Sequence, residues 1–452
     1  MKKKMFSALL TTTLIAGMLA GCGGDNDSSA EGKVLNIYCW NNEFRDRIVA
    51  FYPGYEKIDE THGTIGDVSV VWNETPNKDN AYQNNLDDTL LNQANAAADD
   101  KIDMFLVEAD YALKYVNSDY TMAIEDLGIT STDIANQYQY TQDVVTDSDG
   151  VLKGLSWQGC PGVMFYNREA AKDVFGTDDP AAVQEYVKDW ATFNATAKVV
   201  GEKGYKIVSS VNDTYRTYSN NVTSPWVIDD KINIDENIMN WVNDSKVLVD
   251  AGYTGTHDLW SDDWSAGFFP QGKVFCYFGP AWLVNYSMSA DTEGSIGYNG
   301  DWGATEGPQG FFWGGTWICA ATGTDNQSLV KDIMLKMTTD EDIMTQIVID
   351  CDDFVNNKPA MEALASGEKK VKDADGNDVE YSSKVLGGQN PLAMYCAGVN
   401  SLDLSNLSFY DQGCNEEFQK AMKNYFDGNA TLEDALQMFY KAVVEKYPNL
   451  TY

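Results

Sequence analysis

Hydrophobic and polar positions change period several times along the chain, and the changes mark its elements. Residues 34–40 (Val-Leu-Asn-Ile-Tyr-Cys-Trp) are β-branched, aromatic and apolar enough for a first strand. Asn41-Asn42-Glu43-Phe44 breaks it, and helical spacing runs from Arg45 towards Tyr52. Residues 67–72 predict a second strand, 82–98 a helix and 103–107 a third, buried strand. Further on, 162–167, 273–278 and 316–321 read as strands. Helical spacing covers 181–200, 238–251, 327–340, 342–350, 415–427 and 432–445, and Arg168 begins another helix. Strands alternating with helices predict an α/β fold with largely parallel sheets. Asp147-Ser148-Asp149-Gly150 is a hairpin-turn signal. The acidic run 372–378 has the flavour of a calcium loop, lacks the rest of one, and reads as a second hairpin turn.

The first residues follow another pattern. Met1-Lys2-Lys3-Lys4 precedes an apolar run to Ala20, too short to span a bilayer of roughly 30 Å. Leu19-Ala20-Gly21-Cys22 resembles a bacterial lipobox, which implies removal of residues 1–21 and lipid on Cys22. Residues 22–33, rich in Gly, Asp, Asn and Ser, then read as a flexible spacer. The expected location is the outer face of a cell membrane, in a Gram-positive cell, with the body in water.

The remaining 431 residues exceed what one core of ~250–300 residues supports, so two lobes are expected. A net charge of -36 disfavours nucleic acid and polyanionic ligands. Eight cysteines without a C-x-x-C pair, and only two histidines, make a metal site improbable; no cofactor is expected. Cysteines inside strand-like runs, such as Cys39 and Cys276, read as small buried hydrophobes.

Twelve tryptophans are the most informative composition feature. Trp40, Trp157, Trp282 and Trp313 lie near strand ends or breakers, where α/β sheets border their ligand crevices. Indole stacks on the apolar face of a sugar ring, while Asn, Gln, Asp and Glu match its hydroxyls. Trp72, Trp190 and Trp241 sit within regular patterns and read as packing. No Walker A loop, G-x-S-x-G, H-E-x-x-H or G-x-G-x-x-G is present.

The lipobox, the spacer and four later stretches together resemble the family 1 extracellular solute-binding proteins, the sugar receptors of bacterial ABC importers. Those stretches are 34–44; 103–110 with 115–116 and 124–127; 267–282, ending Gly279-Pro280-Ala281-Trp282; and 387–391 with 408–411. The resemblance implies two discontinuous α/β lobes around a cleft, of the type II periplasmic-binding-protein fold. Lobe 1 would comprise 34–145 and 313–358, and lobe 2 150–308 and 360–452, with crossings near 142–155, 307–313 and 354–364. It implies a monomer that closes on a neutral oligosaccharide and hands it to permease subunits without breaking a bond. Expected ligand contacts are Trp40, Asn42, Glu43, Phe44, Asp110, Trp157, Gln158, Trp282, Trp313, Gln389, Tyr410 and Asp411. A secreted glycoside hydrolase needs a carboxylate pair that abundance alone does not establish. A polyamine receptor of the same fold would use the same tryptophans and carboxylates.

Overall fold

The computed structural model describes residues 32–452. The leader, Cys22 and most of the spacer lie outside the described residues. Two sheets dominate. The first runs in the order Tyr55–Lys57, His62–Ile65, Val68–Glu74, Val34–Cys39, Met104–Glu108, Thr316–Ala320, Leu155–Ser156. Its centre is parallel: Val34–Cys39 pairs in register with Val68–Glu74 on one side and Met104–Glu108 on the other. Met104 to Val107 are all buried, as a strand covered on both faces must be. The second sheet runs Trp302–Thr305, Pro161–Asn167, Val274–Gly279, Lys206–Val208, with Phe311–Phe312 also paired to Pro161–Asn167.

The expected predominance of parallel pairing does not hold. Only three strand pairings among the described residues are parallel. Pro161–Asn167 receives Val274–Gly279 and Trp302–Thr305 antiparallel, and Thr316–Ala320 returns antiparallel to Met104–Glu108. A chain that leaves one sheet and later returns from the other side meets it in the opposite sense.

Helices follow the expected pattern with local exceptions. The stretch 181–200 divides into Pro180–Gln184 and Trp190–Glu202. Asp179 and Asp189 each accept a backbone N–H of the following turn, and each such cap starts a new helix. The 82–98 helix ends at Asn92 and continues as short 3-10 turns. Both hairpin turns form. Asp147 accepts from the N–H groups of Asp149 and Val151, with Gly150 at φ +84°. Asp373 likewise accepts from Asp375 and Asn377, between Val371–Lys372 and Asp378–Val379. Trp72 and Trp241 are buried, and Trp190 is partly so.

The chain passes from the first sheet to the second between Ser156 and Pro161, and back between Phe312 and Thr316. A third segment, Asp353 to Asn356, lies against the first passage. The Gly159 N–H donates to the Phe354 carbonyl at 2.9 Å, and the Asn356 N–H to the Trp157 carbonyl at 2.7 Å. No helix among the described residues is long and apolar enough to cross a membrane.

Among the described residues seven cysteines are free thiols; five are buried, and Cys351 and Cys396 are partly exposed. Burial pushes the Cys39 and Cys414 thiols up to about 12 and Cys351 to about 11, which suppresses the reactive thiolate. With Cys22 set aside, a thiol reagent should label at most Cys351 and Cys396 in the native protein and all seven after unfolding. Rapid native labelling of the buried five would contradict this packing.

Candidate binding cleft

The cleft is built where strands of the first sheet end. Trp40 follows Val34–Cys39 directly and rests against Tyr82 and Tyr111, with ring centroids at 5.7 and 6.1 Å. The helix Glu43–Phe51 starts three residues on, with Asn42 at its N-cap. This places Asn42, Glu43 and Phe44 on one turn and aligns Arg47 with Glu43 at i+4.

Glu43 belongs to a buried polar group. The Gln158 amide donates to its Oε1 at 2.6 Å and to Asp353 Oδ2 at 3.5 Å. Arg47 pairs with Asp353 at 3.4 Å and Glu43 at 3.8 Å. Burial, with Asp353 nearby, pushes the Glu43 carboxyl up to about 7, against the opposing pull of Arg47 and Gln158. Burial also raises Asp353. One guanidinium thus serves two buried carboxyls.

A second carboxyl pair ends Met104–Glu108. Burial, then the neighbouring Asp110, pushes Glu108 up to about 8. Glu108 accepts the Asp110 N–H at 2.9 Å. Asp110 forms a bidentate ion pair with Arg216 of the helix Tyr215–Ser219, one contact at 2.6 Å. The pair links the end of a first-sheet strand to a helix that packs beside the second sheet. It borders a cavity of ≈ 50 Å³, which Asn220, Trp226, Phe312 and Asp411 also line. Burial pushes Asp411 up to about 6, while Ser408, bonded at 2.6 Å, opposes it. Ser219 also lines the cavity, and its hydroxyl is buried without a partner.

Aromatic side chains gather beside Glu108. Gly314 separates the Glu108 carboxylate from the Trp282 indole, and a Cβ there would lie 3.5 Å from one and 3.6 Å from the other. Trp282 Nε1 donates to the Trp313 carbonyl at 3.3 Å, and the two rings meet edge-on at 5.1 Å. Tyr286, beyond Trp282, donates its hydroxyl to Asn42 at 3.0 Å, joining the two sides.

Of the expected contacts, Asp110 and Asp411 line the ≈ 50 Å³ cavity; Trp40 rests on Tyr82 and Tyr111, Asn42 meets Tyr286, Trp282 meets Trp313, and Glu43 meets Gln158 outside its lining. Phe44 and Trp157 are fully buried and stacked at 5.0 Å. Gln389 sits elsewhere: its amide donates to and accepts from the Ala304 backbone, closing the open edge of the second sheet. Tyr410 packs edge-on against Tyr447 at 5.1 Å. Sequence reasoning did not single out Arg47, Glu108, Arg216, Asp353, Trp260 or Tyr286. Arg47 had a usable signal, four residues after Glu43 on a helix; Glu108 had its place at a strand's carboxyl end.

A family model for bacterial extracellular solute-binding proteins matches residues 62–374, well over half of the chain. No curated protein sequence matches. Among solved structures, a family 1 extracellular solute-binding protein superposes with a TM-score of 0.70 at 16% identity, covering 92% of this chain and 99% of that one. The galacto-N-biose/lacto-N-biose I-binding protein of a Bifidobacterium longum ABC transporter, solved with lacto-N-biose, gives 0.67 at 13% identity over 94% and 98%. An ABC-transporter-associated binding protein of B. animalis subsp. lactis, solved with β-1,6-galactobiose, gives 0.66 at 18% over 93% and 99%.

The raised Glu43 carboxyl has a stability consequence. It ionises near 4.5 when exposed and near 7 when folded, so the folded state holds the extra proton between these values. Its contribution is complete below the lower value and is lost as pH rises through the upper one. Glu43→Gln should match wild type near about pH 5 and exceed it by about 1–3 kcal/mol near about pH 8, read by urea unfolding. A difference independent of pH would show that Glu43 is not held protonated.

Proposed function

Because this chain belongs to the bacterial extracellular solute-binding proteins, we propose that its cleft captures a neutral oligosaccharide for an ABC importer. The observation that carries this is the placement of Trp282 and Trp313 beside Glu108, with Asp110–Arg216 and Glu43–Gln158 on either side. Indole faces stack on sugar rings, and the flanking groups supply planar donors and acceptors for hydroxyls. Ser219 offers an unpartnered hydroxyl in the cavity beside Asp110–Arg216.

In this reading the lobes separate to admit the sugar and close on it. The hinge in this reading is the set of passages around Trp157, Trp313 and Asp353. The lobes are 34–145 with 313–358, and 150–308 with 360–452. Contacts the sugar makes to both lobes stabilise the closed form, which permease subunits then recognise. The protein acts as a monomer, tethered outside the membrane by lipid on Cys22, and it breaks no bond. A second reading draws on the carboxyl excess: Glu43, Asp353, Glu108, Asp110 and Asp411 face Arg47 and Arg216, a balance that also suits a polyamine.

A thermal-shift screen over neutral oligosaccharides, spermidine and putrescine tests both, because a ligand of the native state raises its melting temperature. An oligosaccharide should shift it, remain intact on prolonged incubation, and lose about tenfold in affinity with Trp282→Ala, about 1.4 kcal/mol by calorimetry. A polyamine hit whose affinity rises with pH would move the assignment to a cation. Release of shorter sugars would make the protein a hydrolase.

A further inference from the structure

Trp260 is the odd residue of the aromatic group. It is the largest side chain held at positive φ among the described residues, at +68°, and it is 56% exposed. A bulky residue in the left-handed region is an outlier, in a turn position where glycine or asparagine would fit without strain. Burial does not repay that strain, since more than half of the side chain faces solvent. Such outliers gather at ligand clamps, where the surrounding structure holds them.

The surroundings of Trp260 do hold it. The turn is closed by the Ser261 N–H on the Asp258 carbonyl at 3.4 Å, and Ser261 caps the next helix by accepting the Trp264 N–H. Trp264 stands edge-on behind Trp260 at 5.0 Å. It is itself fixed by its Nε1, which donates to buried Asp213 at 2.6 Å, and by its carbonyl, which accepts from Tyr277 and Ser209. In front, Trp260 lies over Trp282 at 6.1 Å and near Trp313 at 5.7 Å. Exposure rises outward along the group: Trp313 is 9% exposed, Trp282 is partly buried and Trp260 is mostly open.

We propose that Trp260 is an outer stacking subsite, which receives a sugar unit beyond those held at Trp282 and Glu108 and makes the receptor prefer chains of three or more units. The inference rests on the oligosaccharide reading and adds length selection to it. A ligand too short to pass Trp282 gains nothing from Trp260. A longer one finds a ring already aimed, with its orientation set by Trp264 and Asp213.

The test is calorimetry with maltose-series and β-1,6-galactose-series oligosaccharides of increasing length, on wild type, Trp260→Gly and Trp260→Tyr. Trp260→Gly suits the backbone and removes the ring; Trp260→Tyr keeps a smaller one. Trp260→Asn, which also tolerates this backbone, replaces Trp260→Gly should the latter fold poorly by circular dichroism. The expected result is a tenfold or greater loss for chains of three or more units, little change for the two-unit sugar, and partial recovery with Trp260→Tyr. An equal loss at every length, no loss at any length, or a wild type indifferent to length would each overturn the outer subsite while leaving the sugar reading intact. A wild type that binds no member of either series and no neutral oligosaccharide of the thermal-shift panel overturns the sugar reading, and the subsite with it.

Discussion

Two stretches of chain run between the two sheets, with a third, Asp353 to Asn356, laid against the first, and their packing is sterically tight. Glycine makes this possible. A Cβ on Gly159 would sit 2.7 Å from the Phe354 ring, and one on Gly162 2.1 Å from Phe311. Gly314 and Gly315 take φ of +67° and +104°, and a Cβ on Gly315 would press on Trp317 and Cys160. With these positions reduced to backbone, the residues between them have little freedom. Trp157 stacks under Phe44, Gln158 turns to Glu43, and the Trp313 N–H donates to the Cys160 carbonyl at 3.1 Å. The floor of the cleft is therefore made of the segments that join its walls.

Electrostatics follows from the same crowding. Gln158 and Asp353 lie on passages packed against one another, and the helix Glu43–Phe51 delivers Glu43 and Arg47 to them. Two buried carboxyls then share one guanidinium, and burial raises both, Glu43 to about 7. A protonated carboxyl both donates and accepts, as a sugar hydroxyl requires. The overall charge of -36 plays no part in this; the local count of carboxyls and guanidiniums decides it.

The legible part of the molecule was the part written in short periods. The strand ends at Trp40 and near Trp282 and a helix running on from Arg45 are legible because alternation and breakers are local, though the helix begins two residues earlier, at Glu43. The parallel character of the sheets was misread because strand direction depends on where the chain returns, which no window of residues records. Partners were invisible for the same reason: Arg216 lies 106 residues from Asp110, and Asp353 lies 306 from Arg47. Gln389 has the polar amide of a ligand contact, yet that amide serves a sheet edge. Trp260 looked like one tryptophan among twelve, because the sign of a backbone angle leaves no mark in composition.

The ion pair Asp110–Arg216 bears on what kind of ligand the cleft can accept. Both charges are engaged in a two-point contact, and each is largely shielded from water. A cationic ligand at Asp110 would compete with Arg216, and an anionic one at Arg216 would compete with Asp110. Either would leave a charge without its partner in a poorly solvated place, a loss of about 3–5 kcal/mol where such pairs are fully buried. Hydroxyl groups make no such demand. They can take the lone pairs and N–H groups that the pair leaves over while the pair stays intact. A neutral, hydroxyl-rich ligand would leave intact the contact between Asp110 and Arg216.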